Sequence, residues 1–231
     1  MDYKAIYISQ AEKYDRLVAR EDYQGNILRA LAQIRPFAGV DVVELGAGTG
    51  RLTRLLAPQV RSIYGFDASA HMLAIASARL IATGRSNWAL GVADNRCLPL
   101  MMATADVAIA GWSLGHSVGW YPQTWRDQVE LALAEMRRVC RPGGTLILLE
   151  TQGTGHITPR PPSSGLAGFY RWLETEQGFR AAWIRTDYRF ASVDEAADLT
   201  RFFFGDELAG EIIRNRLTVL PECTGIWWLP V

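Results

Sequence analysis

The chain has 231 residues, with 24 Lys and Arg, 24 Asp and Glu, and a formal net charge of zero at pH 7. That length suits one large α/β domain, and the balanced charge supplies no global field for nucleic acid or a membrane surface, so neither is expected as a partner. Cys97, Cys140 and Cys223 lack metal-ligand spacing, and the early residues lack the apolar core of a signal peptide; reduced thiols, no metal and a cytoplasmic protein are the expectation.

Residues 1–36 open with Tyr3, Tyr7, Tyr14 and Tyr23 among acidic side chains, and then Ile27, Leu28, Leu31 and Ile34 recur at helical spacing up to Pro36. The tyrosines are either surface staples or part of a helical lid. Tyr14 is the substrate-side candidate.

Val40, Val42, Val43 and Leu45 form a short apolar run, as expected of a strand buried on both faces of a parallel sheet. Glu44 lies at its end, followed by Gly46, Ala47, Gly48 and Gly50; Leu52, Leu55 and Leu56 then restart a helical pattern that Pro58 stops. Glycines let bare backbone approach a ligand, and the helix N-terminus points free N–H groups at the same place. A dinucleotide cradle needs G-x-G-x-x-G, whereas Arg51 occupies the place of the third glycine.

Val60–Phe66 reads as a second strand ending in Asp67, about 20 residues past the loop, where a carboxylate can accept from a ribose diol. Ala68 follows, and Ser69 is a good N-cap for a helix over 69–83, which leaves Asp67 free for a ligand. Trp88–Val92 is a third strand, ending at Asp94 and Asn95, a pair that also favours a turn. Ala105–Ala110 is a fourth. Its C-terminal loop holds Gly111, Trp112, His116, Trp120 and Tyr121: three flat walls and one side chain that exchanges protons near neutrality. His116 is the candidate general base, with a hydrogen-bonded structural histidine as the alternative.

Thr124 and Asp127 suggest a capped helix with Val129, Ala132, Leu133, Met136 and Val139 on its buried face; RPGG then turns into a fifth strand ending at Glu150. Residues 151–166 read as a loop and 169–177 as an aromatic helix, so that 151–178 forms a substrate-side lid or a plain surface excursion. Phe179–Phe190 reads as a sixth strand, Ser192 with Glu195 as a capping box, Asp206 as the cap of a further helix, and 217–230 as a last strand.

The order of E-x-G-x-G-x-G, Asp67, Asp94 and the PGG turn, over roughly residues 40–151, resembles the class I S-adenosylmethionine-dependent methyltransferases of the small-molecule type. The resemblance implies a doubly wound, mostly parallel, seven-stranded Rossmann-like α/β sheet with helices on both faces and an antiparallel last strand. It also implies S-adenosyl-L-methionine as cofactor, with S-adenosyl-L-homocysteine as product. Glu44 and the glycine loop would lie at the methionine part, Asp67 and Ala68 at the ribose, Asp94 and Asn95 at adenine, and Gly111 beside them. The acceptor would be a small molecule between Tyr14, Trp112, Trp120 and Tyr121. A nicotinamide-dependent oxidoreductase and a non-catalytic cofactor-binding protein are the alternatives.

Overall fold

In the computed structural model, which describes residues 6, 7 and 9–231, two short helices, α1 (Ala11–Val18) and α2 (Asn26–Ile34), precede the sheet. There follow β1 (Asp41–Leu45), α3 (Arg51–Leu56), β2 (Ser62–Asp67), α4 (Ala70–Ile81), β3 (Trp88–Val92) and β4 (Ala105–Gly111). Next come α5 (His116–Trp120), α6 (Trp125–Val139), β5 (Cys140–Thr154), α7 (Ser164–Thr175), β6 (Arg180–Arg185) and β7 (Tyr188–Arg189). The chain ends with α8 (Val193–Phe204), α9 (Asp206–Asn215), β8 (Val219–Leu220) and β9 (Glu222–Pro230).

Seven strands form one sheet in the order β3-β2-β1-β4-β5-β9-β6, and β7 pairs with β8 apart from it. The first five strands run parallel, while β9 is antiparallel to both neighbours, as the sequence implied. Every residue of β1 is buried because helices cover both faces. Val43, Leu45, Ala108 and Leu148 pack toward α6 and α7, and Val42, Ile109, Leu52 and Leu31 build the other side. Strand order reverses between β1 and β4. At that switch point the carboxyl ends diverge and leave a crevice, the place where open α/β sheets take ligands.

A third cluster closes that crevice from above. Leu17 of α1 packs with Tyr188, Phe190, Leu199, Ile212 and Leu220, so the early helix is held by residues from the last fifth of the chain.

Several expected boundaries move. The PGG turn is a bulge inside β5: Ala105 pairs with Cys140 and Val107 with Thr145, so the intervening residues are absorbed within the strand. Residues 151–154 belong to β5, because β9 supplies ladder partners as far as Glu222. The expected sixth strand splits into β6 and β7 at Thr186 and Asp187, where the Asp187 carboxylate accepts from Arg185 and from the Glu222 amide at 3.0 Å. The last strand splits at Pro221, which has no N–H for a ladder. Thr124 and Asp206 make no side-chain cap, whereas Ser69, Ser163 and Ser192 do.

Candidate active site

The carboxyl ends of β1, β2 and β4 surround a cavity of about 450 Å³, within the range of small-molecule and cofactor sites. Gly46 turns the chain at φ +69°, and a Cβ there would overlap the Ser113 side chain. Its lack of a side chain is therefore a geometric requirement. Gly50 is different. It is the N-cap of α3, with φ +80° and its own Cβ position 3.0 Å from Ala76 Cβ; it fits α3 against α4 and is not among the residues that line this cavity.

Asp67 joins loop to strand. Its carboxylate accepts from the Gly48 amide at 2.9 Å and the Ser69 amide at 2.8 Å, and burial raises its pKa. Ser69 caps α4 as expected. Glu44 lies below the glycine loop, 2% exposed, and accepts from the Thr53 hydroxyl at 2.6 Å; burial pushes its pKa up to about 8. It is an uncharged floor at neutral pH. Asp94 is exposed and paired with Arg96, while Asn95 donates to Ser113 at 3.0 Å; both line the cavity. Ala47, Ala68 and Gly111 line it too.

The expected loop after β4 contains α5, where Glu150 within β5 accepts the Gly115 amide at 2.8 Å and fixes the turn. Burial pushes Glu150 up to about 7. Trp112 adopts φ +51°, a left-handed conformation uncommon for a bulky residue, and lies under the Arg51 guanidinium at 3.7 Å. His116 stacks on Trp120 at 4.9 Å and its Nε2 is 3.0 Å from the Tyr7 hydroxyl. Burial pulls its pKa down to about 4, against a hydrogen bond to the Trp112 backbone. The ring is therefore neutral at physiological pH. Tyr14 meets Tyr7 edge-on at 5.3 Å, and burial pushes its phenol up to about 12. Trp120 and Tyr121 line the same cavity.

A second cavity, of about 730 Å³, adjoins the first; Tyr7, Tyr14, Arg51, Trp112 and His116 line both. Its further walls include Glu21, Glu150, His156, Tyr188 and Glu222. Tyr170, on α7, is core: its hydroxyl donates to the Thr151 carbonyl at 2.6 Å and its ring stacks on Trp227. Glu21, Arg51, Glu150, Tyr188 and Glu222 escaped the sequence reading. For Glu150 a signal existed, since an acid closes the apolar run LILLE as Glu44 and Asp67 close theirs. Among the described residues no group of His, Cys, Asp or Glu is placed to hold a metal ion, and no helix is long and apolar enough to cross a membrane.

Sheet order, antiparallel β9 and a glycine cradle at the switch point together define the class I, Rossmann-like methyltransferase fold. Residues 43–148 match the methyltransferase domain family Methyltransf_11. The ubiquinone/menaquinone biosynthesis C-methyltransferase UbiE of Legionella pneumophila strain Corby is 34% identical over 72% of this chain and 63% of its own length. That of Rubrivivax gelatinosus is 30% identical over 53% and 43%. The chain spans about half the length of the curated relatives it matches. Among solved structures, a putative type II methyltransferase from Anaeromyxobacter dehalogenans superposes with a TM-score of 0.60 at 18% identity, over 91% of this chain and 97% of that one.

Proposed function

We propose that the protein transfers a methyl group from S-adenosylmethionine to a small molecule bound in the second cavity. The observation that carries this reading is the shared wall: a glycine-turned cavity with a buried carboxylate adjoins, across Tyr7, Tyr14, Arg51, Trp112 and His116, a second cavity.

The residues present suit the cofactor. Asp67 keeps acceptor capacity beyond its two amide bonds for a ribose diol. Gly46 and Gly48 present backbone to the methionine part, and Asn95 with Asp94 borders the place for adenine. When bound, the sulfonium supplies an already activated methyl group, so the protein's work is alignment and exclusion of water.

Trp112 and Arg51 fix one side of the junction, and Tyr14 covers the other. His116 has the form of a neutral acceptor; with its pKa near 4 it is a weak base. Its suitable task is to take the proton of a hydroxyl nucleophile as the methyl moves and that proton becomes strongly acidic. Tyr14, Leu17 and Val18 of α1 and residues 155, 156 and 160–162 line the second cavity and serve as its covers.

Calorimetry tests the cofactor. Asp67→Ala should weaken adenosylmethionine binding by about 1.5–3 kcal/mol, the range for hydrogen bonds to a charged group; unchanged affinity would remove the cofactor assignment. For His116→Ala, kcat on a hydroxyl acceptor should fall about 100-fold, the lower end for general-base loss. Full turnover would end that role.

A further inference from the structure

The second cavity carries an electrostatic demand of its own. Glu21, Glu150, Glu207, Glu211 and Glu222 line it, against the guanidiniums of Arg51 and Arg160, in a chain whose overall formal charge is zero. Arg51 is already engaged, 2.8 Å from Glu21 and stacked on Trp112.

Among the described residues no cation is in ion-pair contact with Glu222, and Arg51 reaches it only through space. Glu222 is 2% exposed; Oε1 accepts from the Thr151 hydroxyl at 2.7 Å, and Oε2 is buried without a hydrogen-bond partner. Oε1 of Glu21, on a side chain 3% exposed, is also without one. Buried polar atoms are nearly always satisfied, so two unpartnered carboxyl oxygens on one cavity call for a partner from outside the described residues. Tyr14, Tyr188, Phe203 and Phe204 supply aromatic walls there, which favour a cation over a neutral donor. Glu222 does not line the first cavity, so whatever it holds lies at the far end from the methyl donor.

We propose that the acceptor is a small molecule bearing a protonated amine, which Glu222 and Glu21 hold as a recognition handle, while its nucleophilic atom lies at the junction beside Tyr7 and His116. This rests on the methyl-transfer reading above. Without ligand, burial and the like charge of Glu21 hold Glu222 toward its neutral form; an ammonium at Oε2 restores its charge.

The test compares phenethylamine with 2-phenylethanol, an amine and an alcohol of similar shape, by calorimetry on the full chain at neutral pH. S-adenosylhomocysteine binding is measured first on the same samples, and the probes are titrated with and without it. Loss of adenosylhomocysteine binding would sink the methyl-transfer reading, whereas the amine preference is a separate readout. The amine should bind at least ten-fold more tightly than the alcohol, and Glu222→Gln, isosteric with the neutral acid, should abolish that preference. Equal binding of the two probes by the native chain, no amine binding at millimolar concentration, or an undiminished preference in a folded Glu222→Gln variant would each overturn the proposal.

Discussion

The two cavities share a wall and are built in opposite ways. The first is made by backbone: Gly46 and Gly48 turn it, and one carboxylate, Asp67, ties the loop by two amides. Apart from Tyr7 and Tyr14, its residues come from successive βα units, in chain order. The second is made by side chains from distant places, Glu21 after α1, Arg51 on α3, Glu150 on β5, and Tyr188 and Glu222 from the C-terminal third. A backbone cavity fixes where a common ligand part goes. A side-chain cavity can take different occupants on the same sheet, which is why the fold leaves the acceptor open.

That contrast can be broken by substitution. The largest effect is expected from Arg51→Gln, which leaves the Glu21 carboxylate buried without its 2.8 Å partner; removing one member of a buried pair costs about 3–5 kcal/mol. Denaturant unfolding would measure it, and a change below about 1 kcal/mol, the scale of an exposed pair, would mean that the junction is wet.

A single methyl group should damage the first cavity. Gly46→Ala places Cβ against Ser113 at a positive φ, a strain of about 1–3 kcal/mol. Thermal unfolding should show the loss, and adenosylhomocysteine affinity should fall with it. The same substitution at Gly119, where a Cβ meets nothing within 4 Å, should leave cofactor affinity unchanged; equal damage at both positions would refute the backbone account.

The smallest effect is a pH slope. Glu44 rises from 4.5 to about 8 and Glu150 from 4.5 to about 7 on folding, so the folded state holds protons that the unfolded state has released. Their contribution is complete below pH 4.5 and is lost as pH rises through those values. His116 falls from 6.5 to about 4, and its contribution is lost as pH drops below 6.5. Between pH 6.5 and 8 the carboxyl effect therefore stands alone of these, and stability should decline by up to about 1.4 kcal/mol per pH unit for each group. Glu44→Gln should flatten that decline. An unaltered slope in the variant would show that Glu44 does not titrate there.

Much of the sheet was readable because local patterns and tertiary placement agree. The strands β1 to β4 are apolar runs bounded by turns, and Ser69 and Ser192 cap the helices they were expected to cap. Where they disagree, long-range pairing decides. Residues 151–154 have a loop's composition, yet β9 offers them partners, and the split between β6 and β7 depends on an Asp187 contact with an amide 35 positions away.

By itself, the sequence determined the first cavity. Glycines at fixed spacing and acids at strand ends act within one or two chain segments, so their geometry follows from order along the chain. Gly50 marks the limit of that reasoning, since the same letter serves the packing of α3 on α4 and does not line the cavity. Only tertiary structure decided the second cavity. Glu21 and Glu222 are 201 positions apart (222 − 21) in the numbering, and no periodicity brings them to one wall. The cluster of Leu17, Tyr188 and Leu220 does so, because hydrophobic burial has no memory of sequence distance.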